Sequence, residues 1–224
     1  AGFDLSNGVN LWWNKVLVSA AASDGGLFKK GSGVLVISSA NAYNGPTDLR
    51  SGRIQARVDN ALPAGSVLRL GGGADTRFVA CTYDSETPQR ETVQRLSRVE
   101  GSGELDYMSA SSVNGAVAPS ADGTITFMTA CSISGDYEVT VGESGCGLLV
   151  LKGENQSIAG LKVKVTNATA LDKKASRNAY KILEAPKGFT GRFDEGSLPK
   201  DWNLRYVGNS VYLHYNKGTI ITIL

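Results

Sequence analysis

The 224-residue sequence is poor in the residues that carry most catalytic and metal-binding chemistry. It has one histidine, His214, and three cysteines. A single histidine leaves no His-x-x-x-His pair for zinc, and any Ser-His-Asp triad would depend on His214 alone. His214 stands in an alternating strand pattern, so we interpret it as a strand residue rather than a general base. We therefore expect no metal, no cofactor and no enzymatic activity.

Charge excess and long apolar runs are also missing. The 23 basic and 21 acidic residues leave a formal net charge of +2 without a Lys/Arg block, so we expect neither nucleic acid nor an anionic membrane as a partner. Purely aliphatic runs, such as Leu148 to Leu151, are far too short to cross a bilayer. The opening residues AGFDLSNG lack the basic start and apolar block of a signal peptide. A mature exported form, a piece of a longer protein and a cytosolic protein all fit this opening.

Proline is scarce and glycine is abundant, with six and 27 residues respectively. The glycines recur between short runs of Val, Ile, Leu, Thr and Tyr, as in many short strands joined by tight turns. Apolar and polar residues alternate over 124–129 and 161–165, which places one apolar face on a sheet. We predict an all-β fold, in which only residues 167–177 suggest one or two helical turns.

One phrase occurs twice, seventy residues apart. Residues 31–45 read GSGVLVISSANAYNG and residues 101–115 read GSGELDYMSASSVNG, with eight of fifteen positions identical. In each copy a Gly-Ser-Gly turn precedes a strand with Leu35 or Leu105 on its core side, and Asn-Gly marks the next turn. Stacked repeats of this kind bury a continuous core, which favours a β-solenoid. The alternative is a β-sandwich with two similar hairpins.

Residues 26–54 follow a longer spaced pattern. Its members, in order, are Leu27, Lys30, Gly31, Gly33, Leu35, Ile37, Ser39, Ala40, Asn41, Tyr43, Gly45, Thr47, Gly52 and Ile54. The pattern resembles the autotransporter-associated β-strand repeat, also called the passenger-associated transport repeat, although Pro46 stands where the family commonly has Gly. Looser similarity to the tail of such proteins follows at 96–105, 180–193 and 198–213.

The resemblance implies a right-handed parallel β-helix that is exported to the cell surface or beyond. Proteins of this family serve as rigid stalks, adhesins and passengers, and the repeat itself is not catalytic. We therefore expect an extracellular or cell-surface bacterial protein. We expect one continuous domain with an N-terminal joining segment (1–25), solenoid rungs (26–185) and a strand-rich closing segment (186–224).

Both ends of the chain have the pattern of apolar strands. The candidate assembly residues are Trp12, Trp13, Val16 and Val18 at one end and Ile220, Ile221, Ile223 and Leu224 at the other. The bare sheet edges at the ends of a solenoid must be capped or used, and the last strand has no charged or proline-bearing cap. The leading hypothesis is head-to-tail self-association into an extracellular filament or stalk. The same pattern fits a fragment of a longer stalk.

Two other functions stay open. An adhesin would bind a host or matrix glycan or protein through exposed aromatic side chains, for which Trp12 or Trp13, Tyr83 and Trp202 are the candidates. A polysaccharide-cleaving enzyme is the weaker alternative, because parallel β-helices host lyases and hydrolases. It would require a stacked cluster of Asp, Arg and Lys side chains.

Cys81, Cys131 and Cys146 are an odd number for an exported protein, so at least one thiol stays unpaired or forms an intermolecular bridge. Cys131 and Cys146 are about one short rung apart, and neighbouring rungs lie ~4.8 Å from each other, within reach of a disulfide. A Cys131–Cys146 disulfide and two buried thiols are the alternatives.

Overall fold

The predicted all-β fold is confirmed. The computed structural model describes residues 1–21, 25–73, 75–84, 87–168 and 180–215, and its elements there are strands. They are β1 (Gly2–Asp4), β2 (Leu11–Trp13), β3 (Leu27–Lys30), β4 (Val34–Ile37), β5 (Thr47–Leu49), β6 (Arg53–Ala56), β7 (Ser66–Gly71), β8 (Arg77–Val79), β9 (Cys81–Asp84), β10 (Thr87–Glu91), β11 (Arg95–Asp106), β12 (Ser112–Pro119), β13 (Thr124–Phe127), β14 (Ser132–Ile133), β15 (Gly135–Thr140), β16 (Leu148–Leu151), β17 (Gln156–Ser157), β18 (Leu161–Thr166), β19 (Tyr180–Glu184), β20 (Phe189–Thr190), β21 (Asp194–Ser197), β22 (Trp202–Val207) and β23 (Ser210–Tyr215).

Most of these strands form one large, mostly parallel sheet, whose pairings divide it into two ladders. Ladder A contains, in spatial order, β1, β3, β5, β7, β11, β12, β15, β18 and β21. The parallel part of ladder B contains β2, β4, β6, β8, β11, β13, β16 and β19. The chain alternates between the ladders, and the long β11 belongs to both. A rung is therefore one strand of ladder A with the ladder B strand that follows it.

The core consists of inward side chains from both ladders, repeated at matching positions in successive rungs. In ladder B the stacked residues, each 0% exposed, are Leu35, Ile54, Phe78, Leu105, Phe127 and Leu151. Leu35 and Leu105 thus lie on the core side, as the repeated phrase predicts. Burial stabilises each such side chain by about 1.5–3 kcal/mol, so the stack accounts for much of the cohesion between rungs.

The repeated Gly-Ser-Gly phrase forms the same corner in two rungs, where the chain crosses from ladder A to ladder B. Gly31 has a φ of +82° and Gly101 a φ of +100°, both in the left-handed region. A Cβ atom on Gly31 would lie 2.3 Å from the carbonyl carbon of Leu5, and one on Gly101 would lie 1.9 Å from the oxygen of Leu70. The corner therefore requires glycine both for its backbone conformation and for the close approach of the neighbouring rung.

Two segments differ from their predicted structure. The sequence pattern predicts a strand over 11–20, but the structure has only β2 and a single bridge between Val18 and Ala42, because the chain leaves ladder B after Trp13. Residues 85–96 are predicted to be a loop that enters a strand, yet β10 pairs antiparallel with β9. This β9–β10 hairpin is inserted between two rungs. The predicted helical turns over 167–177 lie largely outside the described residues.

Ladder B ends in an antiparallel hairpin. Strand β23 pairs with β19, and β22 pairs with β23. Trp202 of β22 is only 8% exposed, because its ring packs 5.8 Å from that of Tyr180 and 5.3 Å from that of Tyr215. The predicted C-terminal assembly residues Ile220, Ile221, Ile223 and Leu224 lie outside the described residues.

One charged side chain, Lys29, is buried beside the first Gly-Ser-Gly corner. It is 0% exposed, and its ammonium group donates to the carbonyl oxygens of Gly31 at 2.5 Å and Ser51 at 2.7 Å. Burial lowers the pKa of Lys29 from 10.5 to about 8, although the charge of Asp75 opposes this shift. The lysine holds carbonyl groups of two rungs, and burial makes its charged form less favourable than it is in water.

We expect the wild-type chain to gain stability relative to Lys29→Met as the pH rises from 7 to 9.5. The pKa of Lys29 is about 8 in the folded chain and near 10.5 in the unfolded chain, so the unfolded chain binds more protons in this interval. The free energy of unfolding therefore rises with pH, by about 1 kcal/mol after solvent screening. Urea unfolding of the wild type and of Lys29→Met at each pH measures the difference between their free energies of unfolding. Tyrosine and cysteine also titrate in this interval, but they are the same in both chains and their contribution cancels in the difference. If this difference does not change with pH, the claim that burial lowers the pKa of Lys29 in the folded chain is contradicted.

Candidate functional site

The exposed large hydrophobic side chains are concentrated at the N-terminal end of the described structure. Val9, Trp12, Val16 and Val18 are 57%, 62%, 58% and 68% exposed, and only Val207 joins them from the rest of the described chain. Among the described strands, β1 pairs with β3 alone and β2 with β4 alone. We call β1, β2, Val16 and Val18 the N-terminal edge. Unpaired strand edges beside apolar side chains are typical of surfaces to which another strand adds.

The adjacent tryptophans point in opposite directions, as strand alternation predicts. Trp13 is half-buried against the core, with its ring edge-on to Phe3 at 5.2 Å between centroids. Trp12 projects from the outer face of ladder B. Of the N-terminal residues predicted to mediate assembly, Trp12, Val16 and Val18 are therefore exposed and Trp13 is largely internal.

A groove crosses the outer face of ladder B next to the N-terminal edge. It has a volume of about 440 Å³ and is lined by Asn10, Trp12, Val34, Val36, Arg53, Gln55, Arg57 and Tyr83. Residues on or beside β2, β4 and β6 form its floor, and the β9–β10 hairpin contributes Tyr83 as a wall. We call it the Trp12–Tyr83 groove. It brings together two of the four aromatic residues that the sequence suggests as ligand contacts, whereas Trp13 and Trp202 lie elsewhere.

The hairpin is fixed to the outer face of ladder B by buried contacts. Gln55 is 7% exposed, and its amide donates to the carbonyl oxygen of Cys81 at 3.3 Å. Val36 and Val79 are 3% and 1% exposed although they lie outside the main core cluster. A second, smaller apolar layer therefore lies on the outer face of ladder B and holds the groove wall in place.

Arg53 and Arg57 are the charged residues of the groove. The Arg57 guanidinium lies 4.7 Å from the centroid of the Trp12 ring, a cation–π contact. Arg53 is half-buried, its Nε is buried without a hydrogen-bond partner, and it forms no ion pair with a described carboxylate. The Nε of its ladder partner Arg77 is likewise buried without a hydrogen-bond partner, but Arg77 pairs with Asp106 and lies 3.9 Å from Glu104.

Tyr83 contributes an uncharged phenol hydroxyl to the groove. Burial raises its pKa above 10, and the neighbouring Tyr107 raises it further. The rings of Tyr83 and Tyr107 pack edge-on at 6.2 Å between centroids. The phenol therefore stays protonated at neutral pH and is able to donate a hydrogen bond.

The outer face of ladder A differs, because two of its arginine side chains, Arg69 and Arg98, lie in ion pairs. Arg98 forms a bidentate pair with Glu138 at 2.9 and 2.7 Å, and also contacts Glu100 at 2.5 Å. Arg69 contacts the same Glu100 at 2.8 Å. The hydrogen bonds from Arg98 lower the pKa of Glu138. Arg98 is thus neutralised rather than available to an anionic ligand.

The cysteines are separate, buried thiols, which corresponds to the second of the two alternatives for Cys131 and Cys146. The Cys131 sulfur lies 3.7 Å from the carbonyl oxygen of Ser111, and the Cys146 sulfur lies 3.4 Å from that of Lys181. Ladder register explains their separation: Thr124 pairs with Leu148, twenty-four residues later. Residues only fifteen apart therefore lie at different corners of the rung. Burial raises the pKa of both thiols to about 12, which makes them poor nucleophiles.

The described residues contain no group of three or more His, Cys, Asp or Glu side chains that could hold a metal ion. His214 lies in the closing hairpin, paired with Asn203 of β22, and is half-buried. The described lining of the Trp12–Tyr83 groove includes no carboxylate or imidazole. Across the described ranges, no helix has the length and apolar character needed to cross a bilayer.

No protein-family model matches the chain, and no curated protein matches it. The function must therefore be inferred from the ladders, the N-terminal edge and the Trp12–Tyr83 groove.

Proposed function

We propose that this chain is a β-solenoid, a right-handed parallel β-helix, with a structural function in a stalk or filament. The observation that supports this most is the alternation of the chain between two parallel ladders over nearly its whole described length. Each inner rung is held to both neighbours by ladder hydrogen bonds and stacked core residues, which makes a stiff rod. Right-handed crossovers predominate between parallel strands, which supports the proposed hand.

The proposed location is the bacterial cell surface or the extracellular space. The support is the resemblance of residues 26–54 to the autotransporter-associated β-strand repeat. In the structure this segment spans β3 to β6, so the resembling residues form two consecutive strand pairs of the ladders. The family repeat is used in exported passengers, and a stiff rod suits that role.

The proposed partner is a second copy of the same chain, bound head to tail. At the N-terminal edge, ladder A begins with β1, and its last described strand, β21, runs in the same direction and pairs with β18 alone. Stacking β1 of one copy on β21 of the next would continue ladder A without a change of strand direction. The hairpin of β22 and β23 would face β2 in ladder B, and the exposed Val16 and Val18 would be covered.

Val18→Lys is expected to weaken this association at least tenfold. Val18 is 68% exposed at the N-terminal edge, and a lysine there would place a charge in an apolar contact. Sedimentation velocity across a concentration series measures the association of each variant. Val150→Lys is the control, because Val150 lies on the outer face of β16, away from both ends. A wild-type chain that remains monomeric at every concentration, or an equal loss in both variants, would contradict the proposal.

Glycan binding is a second candidate function. The specific observation that favours it is the convergence of Trp12 and Tyr83 in one groove, where aromatic rings can pack against the apolar faces of sugar rings. A solenoid that forms a stalk and also carries such a groove would act as an adhesin.

A further inference from the structure

We propose that the Trp12–Tyr83 groove binds an anionic carbohydrate, with Arg53 as the main contact for its carboxylate or sulfate groups. This inference rests on the second candidate function, glycan binding, and specifies the ligand class.

The absence of an ion pair between Arg53 and any described carboxylate supports an anionic ligand. The Nε atoms of Arg53 and Arg77 are both buried without a hydrogen-bond partner, but Arg77, one strand further along ladder B, has Asp106 and Glu104 beside it. A buried charged donor without a partner is unfavourable, and a bound anion would supply the missing hydrogen bonds. The planar guanidinium presents paired donors whose spacing matches a carboxylate or a sulfate.

Arg57 adds a second positive charge to the same groove. None of the described residues that line it is acidic, so the two guanidinium groups attract an anion without a competing carboxylate in the lining. Arg53 also borders a neighbouring depression, which Asp75, Arg77 and Glu104 line as well. Within the groove itself the charged side chains among the described lining residues are both positive, even though the whole chain has a net charge of only +2.

The aromatic walls favour a sugar over a simple anion or an acidic peptide. Trp12 is 62% exposed at one side of the groove, and the half-buried Tyr83 stands at the other. Rings at both sides of a groove of about 440 Å³ suit a short stretch of sugar rings, whose C–H faces pack on aromatic faces. Tyr83, Gln55 and Asn10 carry polar groups of the kind that hydrogen-bond to sugar hydroxyls.

Isothermal titration calorimetry on the full chain tests the ligand class with four probes of similar length. They are a galacturonate hexamer, a heparin-derived hexasaccharide, neutral cellohexaose and a hexaglutamate peptide. We expect at least one of the anionic sugars to bind at least tenfold more tightly than cellohexaose and hexaglutamate. The preference between galacturonate and the heparin fragment identifies the anion as carboxylate or sulfate.

Three variants test the site itself. Arg53→Gln and Trp12→Ala are each expected to weaken binding of the anionic sugar at least tenfold. Arg205→Gln is the matched control, because Arg205 is an exposed arginine of β22 far along the chain from the groove, and it should leave the affinity unchanged. Circular dichroism and thermal unfolding of each variant establish that it is folded before its affinity is compared.

Several outcomes would overturn the inference. Equally tight binding of hexaglutamate would indicate an acidic-peptide site, and an equal loss in Arg205→Gln would indicate diffuse charge attraction. Equal binding of cellohexaose that depends on Trp12 would leave glycan binding intact while contradicting the anionic ligand. If no sugar binds, both the ligand class and the second candidate function fail.

Discussion

Gly101→Ala is expected to lower the free energy of unfolding by about 4 kcal/mol, among the largest effects of a single methyl group. Gly101 has a φ of +100°, and a Cβ atom there would lie 1.9 Å from the carbonyl oxygen of Leu70. Leu70 is its direct partner in ladder A, so that oxygen cannot move away without opening the pairing of two rungs. Urea unfolding followed by circular dichroism measures the loss.

Gly65→Ala is the control for Gly101→Ala, because it measures the cost of the left-handed backbone conformation without the close contact to a neighbouring rung. Gly65 has a φ of +77°, but a Cβ atom there would meet nothing within 4 Å. We expect this variant to lose only about 1 kcal/mol, the usual cost of a left-handed conformation for a residue with a side chain. Equal losses in the two variants would mean that the rungs do not approach as closely at the Gly101 corner as the structure shows.

Phe78→Ala is expected to destabilise the chain by about 4 kcal/mol. Phe78 is 0% exposed and lies between Ile54 and Leu105 in the ladder B stack, so its loss leaves a cavity bordered by two other rungs. Removing a buried phenylalanine costs about 3–5 kcal/mol when the surroundings cannot collapse, and paired strands on both sides prevent collapse here. Unfolding in urea gives the free energy and also shows whether the transition remains cooperative.

Val207→Ala is the control for Phe78→Ala. Val207 is 48% exposed in the closing hairpin, so its truncation should change stability by no more than about 0.5 kcal/mol. If Phe78→Ala lost less than about 1 kcal/mol, the continuous stack between rungs would not be the main source of cohesion.

The repeated phrase is the feature that sequence reasoning interprets best. Gly-Ser-Gly predicts a turn and Leu35 and Leu105 predict core positions, because turn chemistry and strand alternation are local properties. The pairing of rungs is not local. Thr124 and Leu148 are twenty-four residues apart in ladder B, whereas Leu35 and Ile54 are nineteen apart, so the rung length varies and register cannot be counted along the chain. For this reason the sequence alone could not decide between a Cys131–Cys146 disulfide and two buried thiols.

The groove could be predicted only in part. Alternation indicates that either Trp12 or Trp13 faces outward, and Tyr83 is a candidate as an aromatic residue, but nothing local places them together. Their proximity depends on stacking β2 beside β4 and β6 and on the inserted β9–β10 hairpin. The two arginines of the groove could have been found from the sequence ArgIleGlnAlaArg at 53–57. Its polar residues occupy every second position, so they share one face of the strand.

The two outer faces suggest a division of roles along the proposed rod. On the face of ladder A, Arg69 is paired with Glu100 of the next strand, and Arg98 is paired with Glu100 of its own strand and Glu138 of β15, two strands further along. On the face of ladder B, the β9–β10 hairpin covers apolar residues and leaves Arg53 unpaired in a groove. We propose that ladder A serves the stiffness of the rod and that the ladder B face serves recognition.

Electron microscopy of the purified chain across a concentration series tests the central claim, that this is a solenoid segment joined end to end. The nine described strand levels of ladder A, spaced ~4.8 Å apart, predict filaments with an axial repeat of about 43 Å. Filaments with that repeat, which shorten as the protein is diluted and are absent in Val18→Lys, are the predicted result. Discrete single particles at every concentration would contradict the claim.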